Sequence, residues 1–328
     1  MGRDLDQLTA ALRRHLVRGR EITGLRVLSA GHSNETYLVD GLDVILRLPP
    51  SSAPLLEHAL DVRQQFDAFA VLAGLPGGPP VPALHHMEQD PAVLGAPFFL
   101  MSRVEGLGWP DMRIPPWAAE GTDALRDRVS REAVGALAFL HCQPPLDVFG
   151  PAQSVRQELA RWCDTAAGCG VPSLDEAFSL LDRTAPADAP PAPCHGDPKI
   201  ANMLWHADGR LAAWLDWELA FNGDPRWDLA YHLGRFPNPF SSGHAGQDQA
   251  GFWQRDRVIG LWQETTGRRV DHLLWFEAAF KAKVAAILAH GHRLVQRGLS
   301  QDERLAQWGV PAGIYADTAL RMARAAAA

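Results

Sequence analysis

No part of this sequence is basic enough for a polyanion or apolar enough for a bilayer. Lys and Arg number 31 against 38 Asp and Glu, a net charge of −7, and the cations are dispersed. Nucleic-acid binding needs clustered cations to neutralise phosphates, so the composition argues against that partner. No run reaches the ~18 apolar residues of a membrane helix. Met1-Gly2-Arg3-Asp4-Leu5-Asp6 lacks the apolar core of a secretory leader. Gly2 also lacks the downstream Ser or Thr of an N-myristoylation motif. Cysteine is scarce: Cys142, Cys163, Cys169 and Cys194 have no paired metal spacing and read as reduced thiols of a cytoplasmic protein. What remains is ordinary for a globular chain, with 47% hydrophobic and 21% charged residues. At 328 residues it can build two cores.

Chemistry concentrates in Cys194-His195-Gly196-Asp197-Pro198-Lys199-Ile200-Ala201-Asn202 and in Trp214-Leu215-Asp216-Trp217-Glu218. Between them, Met203-Leu204-Trp205 reads as a strand, His206 to Arg210 as a turn, and Leu211 to Leu215 as the return strand. An Asp, an Asn five positions on, and a second Asp after a hairpin form the catalytic layout of protein kinases. Phosphoryl transfer asks for an aligned hydroxyl and for cations where charge builds on the phosphate oxygens. A carboxylate serves the first need. Hard oxygen donors that hold Mg²⁺ serve the second.

His195-Gly196-Asp197, Asn202 and Asp216-Trp217-Glu218 resemble the motif of the aminoglycoside phosphotransferase and choline kinase superfamily, small-molecule kinases with a protein-kinase-like fold. The resemblance implies Asp197 as base and Asn202 and Asp216 as Mg²⁺ ligands. His195 is expected to brace the loop. Gly31-His32-Ser33-Asn34-Glu35-Thr36-Tyr37-Leu38-Val39 and Leu46-Arg47-Leu48-Pro49-Pro50 are similar to the branch found with acyl-CoA dehydrogenases, as is Trp275-Phe276-Glu277-Ala278-Ala279-Phe280-Lys281. The likeness runs from about Leu25 to Arg297.

The implied fold is α+β and bilobal: an antiparallel-sheet lobe with one helix over residues 1–105, then a mainly helical lobe over 106–328. Leu5, Leu8, Leu12 and Leu16 space a leading amphipathic helix. Strands are expected at 22–28, 36–39, 44–48, 81–86 and 97–101, and a helix at 59–73. The family would lay the loop of Ser33 and Asn34 over ATP phosphates, where small residues let amides approach an anion. Arg47 stands where a Lys is usual, and keeps the charge with a forked geometry. Its anchoring acid falls on Asp67 or on Glu57. Backbone around Ser102 and Val104 would meet adenine. His85 and His86, adjacent on a strand, point to opposite faces and do not make a metal pair.

In the second lobe, helices are expected at 125–141, from 155, at 174–181 and at 275–297. Asp228 is expected to hold the catalytic loop, with Glu218 as further support; Asp224 is a candidate helix cap. The acceptor is a hydroxylated small molecule: a hydroxy acid or hydroxyacyl thioester, or alternatively an antibiotic. A non-catalytic nucleotide-binding protein is a third reading. From Phe236 onward, 11 Lys and Arg face eight Asp and Glu. A polycationic aminoglycoside calls for the opposite balance.

Overall fold

The apolar runs Tyr37-Leu38-Val39 in Glu35–Asp40 and Val44-Ile45-Leu46 in Val44–Leu48 give strands with buried side chains on both faces of a sheet. The structure is a computed structural model, and it describes residues 3–30, 34–51, 54–56, 61–111, 113–237, 239–240 and 251–328. Two units are distinguished: Met1–Glu105 with Ala212–Leu219, and Gly106–Leu211 with Ala220–Ala328.

The first unit opens with α1 (Leu5–His15), capped by Asp4, whose carboxylate accepts from the Asp6 and Gln7 amides. Strands β1 (Gly24–Ala30), β2 (Glu35–Asp40) and β3 (Val44–Leu48) follow. Helix α2 (Val62–Ala73) comes next, then β4 (Leu84–Glu88) and β5 (Phe98–Ser102). The sheet is antiparallel in the order β1-β2-β3-β5-β4. One face carries Tyr37, Val39, Leu46, Leu48, Phe98 and Leu100, which pack with Leu8 and Leu12 of α1. On the other face, Phe99 meets Phe66 and Phe69 of α2. Arg47 lies opposite both Thr36 and Phe99 in register, so the pleat sends it to the α2 face. At the β2–β3 turn Gly41 has φ +95°, and a Cβ there would lie 1.9 Å from the Glu21 carbonyl oxygen. Helix α2 starts later than its sequence pattern implies, because Asp61 accepts from the Gln64 amide and caps it at Val62.

The second unit is mostly helical. It contains α3 (Pro116–Ala119), α4 (Asp123–His141), α5 (Val155–Ala166), α6 (Pro172–Arg183), β6 (Ala192–Cys194) and β7 (Met203–Trp205). A turn closed by the His206 amide on the Arg210 carbonyl, at 2.9 Å, leads to β8 (Leu211–Trp214), at which the chain returns to the first unit. Then come β9 (Phe221–Gly223), α7 (Arg226–Leu233), α8 (Arg255–Thr266), α9 (Leu273–Gln296), α10 (Glu303–Ala306) and α11 (Gly309–Ala327). Helix α9 is apolar nearly all round, as suits a central helix, and α5, α6, α7, α10 and α11 pack on it. Helix α4 packs on α8 and β6. Among the described residues no helix is long and apolar enough to cross a membrane.

Candidate active site

Two short strands fix the start of the loop that carries Asp197. β6 pairs antiparallel with β9, Cys194 opposite Phe221, and the chain leaves β6 through Gly196 at φ +81°. Asp228, on the first turn of α7, reaches back and binds this exit. Its Oδ2 accepts from the His195 amide at 2.6 Å and its Oδ1 from the Gly196 amide at 2.9 Å. Burial alone would lift the Asp228 carboxyl, but His141, His195 and the backbone hold it below the ordinary carboxylate value. His141 Nε2 lies 3.4 Å from Asp228 Oδ2, while the Trp262 indole donates to His141 Nδ1 at 2.8 Å. The proton of this imidazole is therefore on Nε2, aimed at Asp228. Cys194 completes a buried His141, Cys194, Asp228 cluster with metal-like proximity. The hydrogen bonds already occupy His141 and Asp228, so the cluster is a brace. Asp224, just before Pro225 at the start of α7, accepts from the Arg226 amide, the Arg226 guanidinium and the Ala189 amide.

The loop so held presents Asp197. Its amide donates to His195 Nδ1 at 3.2 Å, so that ring serves as an acceptor within the loop. Asn202 Nδ2 donates to the Asp197 carbonyl at 2.9 Å and to Asp197 Oδ2 at 3.0 Å. Lys199 Nζ stands 3.3 Å from Oδ2 and 3.6 Å from Asp111. Burial pushes the Asp197 pKa up, but Lys199, Tyr231, His195 and Lys283 outweigh it and leave the carboxyl below its usual value. The Tyr231 phenol is close enough to act on this charge but falls short of full hydrogen-bond geometry, and Asp197 Oδ1 is buried with no hydrogen-bond partner among the described residues. Beneath the loop, the buried Lys283 donates to the Gly196 carbonyl at 2.5 Å, with its ammonium 4.4 Å from the Trp162 ring centroid. His232 Nδ1 donates to the Pro198 carbonyl at 3.2 Å; burial takes its pKa down to about 3, so it stays neutral.

In the first unit, Asp216 has φ +68°, a left-handed conformation rare for a residue with a side chain. Arg47 holds it: one guanidinium nitrogen donates to Asp216 Oδ1 and to Gln65 Oε1, each at 3.0 Å, and another to Thr36 Oγ1 at 3.1 Å. Glu218 Oε2 accepts from the Asn34 amide at 2.7 Å, and both residues are buried.

One sequence expectation needs correction here, the partner of Arg47. Asp67 does not anchor Arg47. It is one helical turn from Arg63 and pairs with that residue at 2.7 Å, while Gln65, two positions earlier, faces the sheet. Glu57 and Ser33 lie outside the described residues, as does most of the segment after Phe240. The Asn34 side chain donates to Glu218. The Ser102 amide is engaged by the Ala83 carbonyl at 2.7 Å and its hydroxyl by His85 at 2.8 Å, because β5 continues through this residue. Val104, beyond the strand, is half-buried. Sequence reading missed Lys199, Tyr231, His232, Lys283, and the His141–Trp262 pair. For Lys283 a signal existed: two lysines, 281 and 283, inside an otherwise apolar helical run.

Comparison with known proteins agrees with this architecture. The model of the "Phosphotransferase enzyme family" matches residues 24–267. Acyl-CoA dehydrogenase family member 11 of Gallus gallus is 32% identical over 219 residues, 63% of this chain and 27% of that protein. Family member 10 of Mus musculus is 27% identical over 212 residues, 61% of this chain and 19% of that one. The chain thus spans only about a quarter of the length of these curated relatives. Among solved structures, a Ralstonia eutropha protein named as an aminoglycoside phosphotransferase superposes with TM-score 0.73 at 23% identity over 98% of both chains. The GDP complex of aminoglycoside 2'-phosphotransferase-IIIa gives 0.66 at 16% identity, over 95% of this chain and 99% of that one. These likenesses establish the protein-kinase-like fold, with its antiparallel sheet followed by a helical part. With more than half of its length matched by the family model, the chain belongs to the phosphotransferase enzyme family.

Proposed function

We propose that the chain is an ATP-dependent kinase of a hydroxylated small molecule, with a hydroxy acid or hydroxyacyl thioester as acceptor. One observation carries the reading. Asp197 offers a buried, ionised carboxylate oxygen with no hydrogen-bond partner among the described residues, on a loop that Asp228 and Lys283 clamp from behind. Such an oxygen is costly to bury unless an incoming donor satisfies it. An acceptor hydroxyl is that donor: Asp197 orients it and takes its proton as the new O–P bond forms. Asn202 keeps the carboxylate aimed through its amide nitrogen.

The donor set suits Mg²⁺. Asn202 turns its nitrogen to Asp197, which leaves its carbonyl oxygen as a hard ligand, and only Oδ1 of Asp216 is engaged by Arg47. These two residues would hold the ion, which when bound neutralises charge on the phosphate oxygens. Arg47 would bind phosphate oxygens, and the backbone near Val104 would meet the nucleobase. The likeness to acyl-CoA dehydrogenase family members favours an acyl acceptor over an antibiotic, as does the surplus of cations from Phe236 onward.

The test is ATP turnover on an acceptor panel with Mg²⁺ present and absent. Mg²⁺-dependent phosphorylation of hydroxy acids or hydroxyacyl thioesters supports the reading. Turnover on kanamycin-like amines alone moves the assignment to an antibiotic kinase. Tight ATP binding without turnover on any alcohol leaves a nucleotide-binding protein.

A further inference from the structure

Lys281 is a buried cation that the chemistry above does not use. Only 8% of its surface is exposed, and among the described residues Glu277 is the one charged group that acts on it, with no hydrogen bond or ion pair between them. Its one acidic neighbour, Glu277, a turn earlier on α9, is already neutralised by Arg255, which forks onto both carboxylate oxygens at 2.5 and 2.8 Å. What surrounds the ammonium is aromatic: its nitrogen lies 5.0 Å from the Phe280 ring centroid and 5.3 Å from that of Tyr315 on α11. Burial draws its pKa down to about 8 against the pull of Glu277, so it is still largely charged at neutral pH. Two rings offset part of the cost of burying an ammonium, but they supply no acceptor for its three N–H groups.

The same rings connect Lys281 with the catalytic loop. Phe280 stacks against Tyr231 with centroids 4.4 Å apart, and Tyr231 is the phenol that faces Asp197. Tyr315 feels the charge of Asp111, which Lys199 shares with Asp197. Tyr231, Phe280 and Tyr315 thus run as an aromatic wall from the proposed base to an unpaired ammonium. A wall of this kind suits the carbon chain of an acceptor, and the ammonium at its far end suits an oxyanion.

We propose that Lys281 binds an anionic group of the acceptor, so that an oxyanion at one end of the substrate pairs with its ammonium while the hydroxyl meets Asp197. This rests on the kinase reading above and narrows it to acceptors that carry negative charge remote from the reacting alcohol. The oxyanion is the carboxylate of a free hydroxy acid or a phosphate of a thioester carrier; the chemistry at Lys281 is the same.

The test uses the full chain with MgATP and three acceptor sets: straight-chain hydroxycarboxylates, the matching hydroxyacyl-coenzyme A thioesters, and the neutral methyl esters of the hydroxycarboxylates, with an amino alcohol as cationic control. Wild type is expected to favour an anionic set over the esters by roughly 10- to 100-fold in kcat/KM, the scale of one charge-assisted hydrogen bond. Whichever anionic set wins identifies the source of the oxyanion. Lys281→Met should raise KM for that set by a similar factor and erase its advantage over the esters, and Lys281→Arg should restore part of it. Thermal unfolding checks that the variants fold; should Lys281→Met fail to fold, the wild-type preference and the Arg variant still decide. Equal use of anionic and neutral acceptors, preference for the amino alcohol, or an unchanged KM in folded Lys281→Met overturns the proposal. Phosphorylation of alcohols without regard to charge defeats only this inference. Absence of phosphorylation on every alcohol defeats the kinase reading and this one with it.

Discussion

Arg47 and Asp216 are joined by a 3.0 Å ion pair between β3 and the strained residue that follows β8. The guanidinium is shared with Thr36 and Gln65, so the cation is fixed by the sheet and by α2. A residue held at φ +68° by a partner on another strand marks a place where the fold keeps a costly conformation.

Asp216→Ala should abolish the support that Mg²⁺ gives to nucleotide binding, an effect larger than the roughly 10- to 100-fold typical for loss of an outer support of a metal. Titration of ATP with and without Mg²⁺ measures it, and an unchanged metal dependence removes Asp216 from the ligand set. Arg47→Lys keeps the charge but cannot span all three partners at once, so the KM for ATP should rise while stability changes little.

Asp197→Ala should lower kcat by roughly 10² or more, with little change in ATP affinity, if the proposed role as base for the acceptor hydroxyl holds. Steady-state kinetics on the best acceptor gives the value. Near-normal turnover would take the role of base away from Asp197.

Asp228→Ala should both destabilise the fold, by about 3 kcal/mol or more, and slow catalysis, since two loop amides and His141 lose their partner together. The folded Asp228 carboxyl lies below its usual value, so its stabilising contribution is complete above the ordinary carboxylate pKa of about 4 and is lost as pH falls through the folded value. Melting curves below about pH 4 should therefore fall more steeply for wild type than for Asp228→Asn.

His232 acts with the opposite charge. Its folded pKa is about 3 against an ordinary 6.5. Below the ordinary value the unfolded chain takes up a proton that the buried ring refuses, so stability declines as pH falls from there toward the folded value. His232→Asn retains a donor for the Pro198 carbonyl and removes the titration. Chemical denaturation of both proteins at neutral pH and at about pH 4.5 should show a decline in wild type, of the order of 2 kcal/mol, that the variant lacks.

The short apolar runs of β2 and β3 on either side of Asp40-Gly41 announced the sheet, and the apolar run of α9 announced the central helix. Helix α8 gave little signal, because it buries only Val258 and Trp262, and α11 opens on Gly and Pro, which mask its helical period. Spacing alone picked out Asp197, Asn202 and Asp216, because a turn, a short strand pair and a second turn are local structure. Counting along α2 could not find the partner of Arg47: Gln65 and Asp67 differ by two positions, and which of them faces the sheet depends on where Asp61 caps the helix.

By itself, then, the sequence determined the strand pattern and the turns that carry Asp197, Asn202 and Asp216, because each follows from neighbours within a few positions. Asp228 was expected as a support of the Asp197 loop, but tertiary structure alone decided what holds Asp228 and what else lies beside the loop: His141 with Trp262, Lys283 under Gly196, and Lys281 between two rings. Those contacts join residues up to 121 positions apart, and the burial that leaves one lysine bonded and another unpaired exists only once the helices have packed.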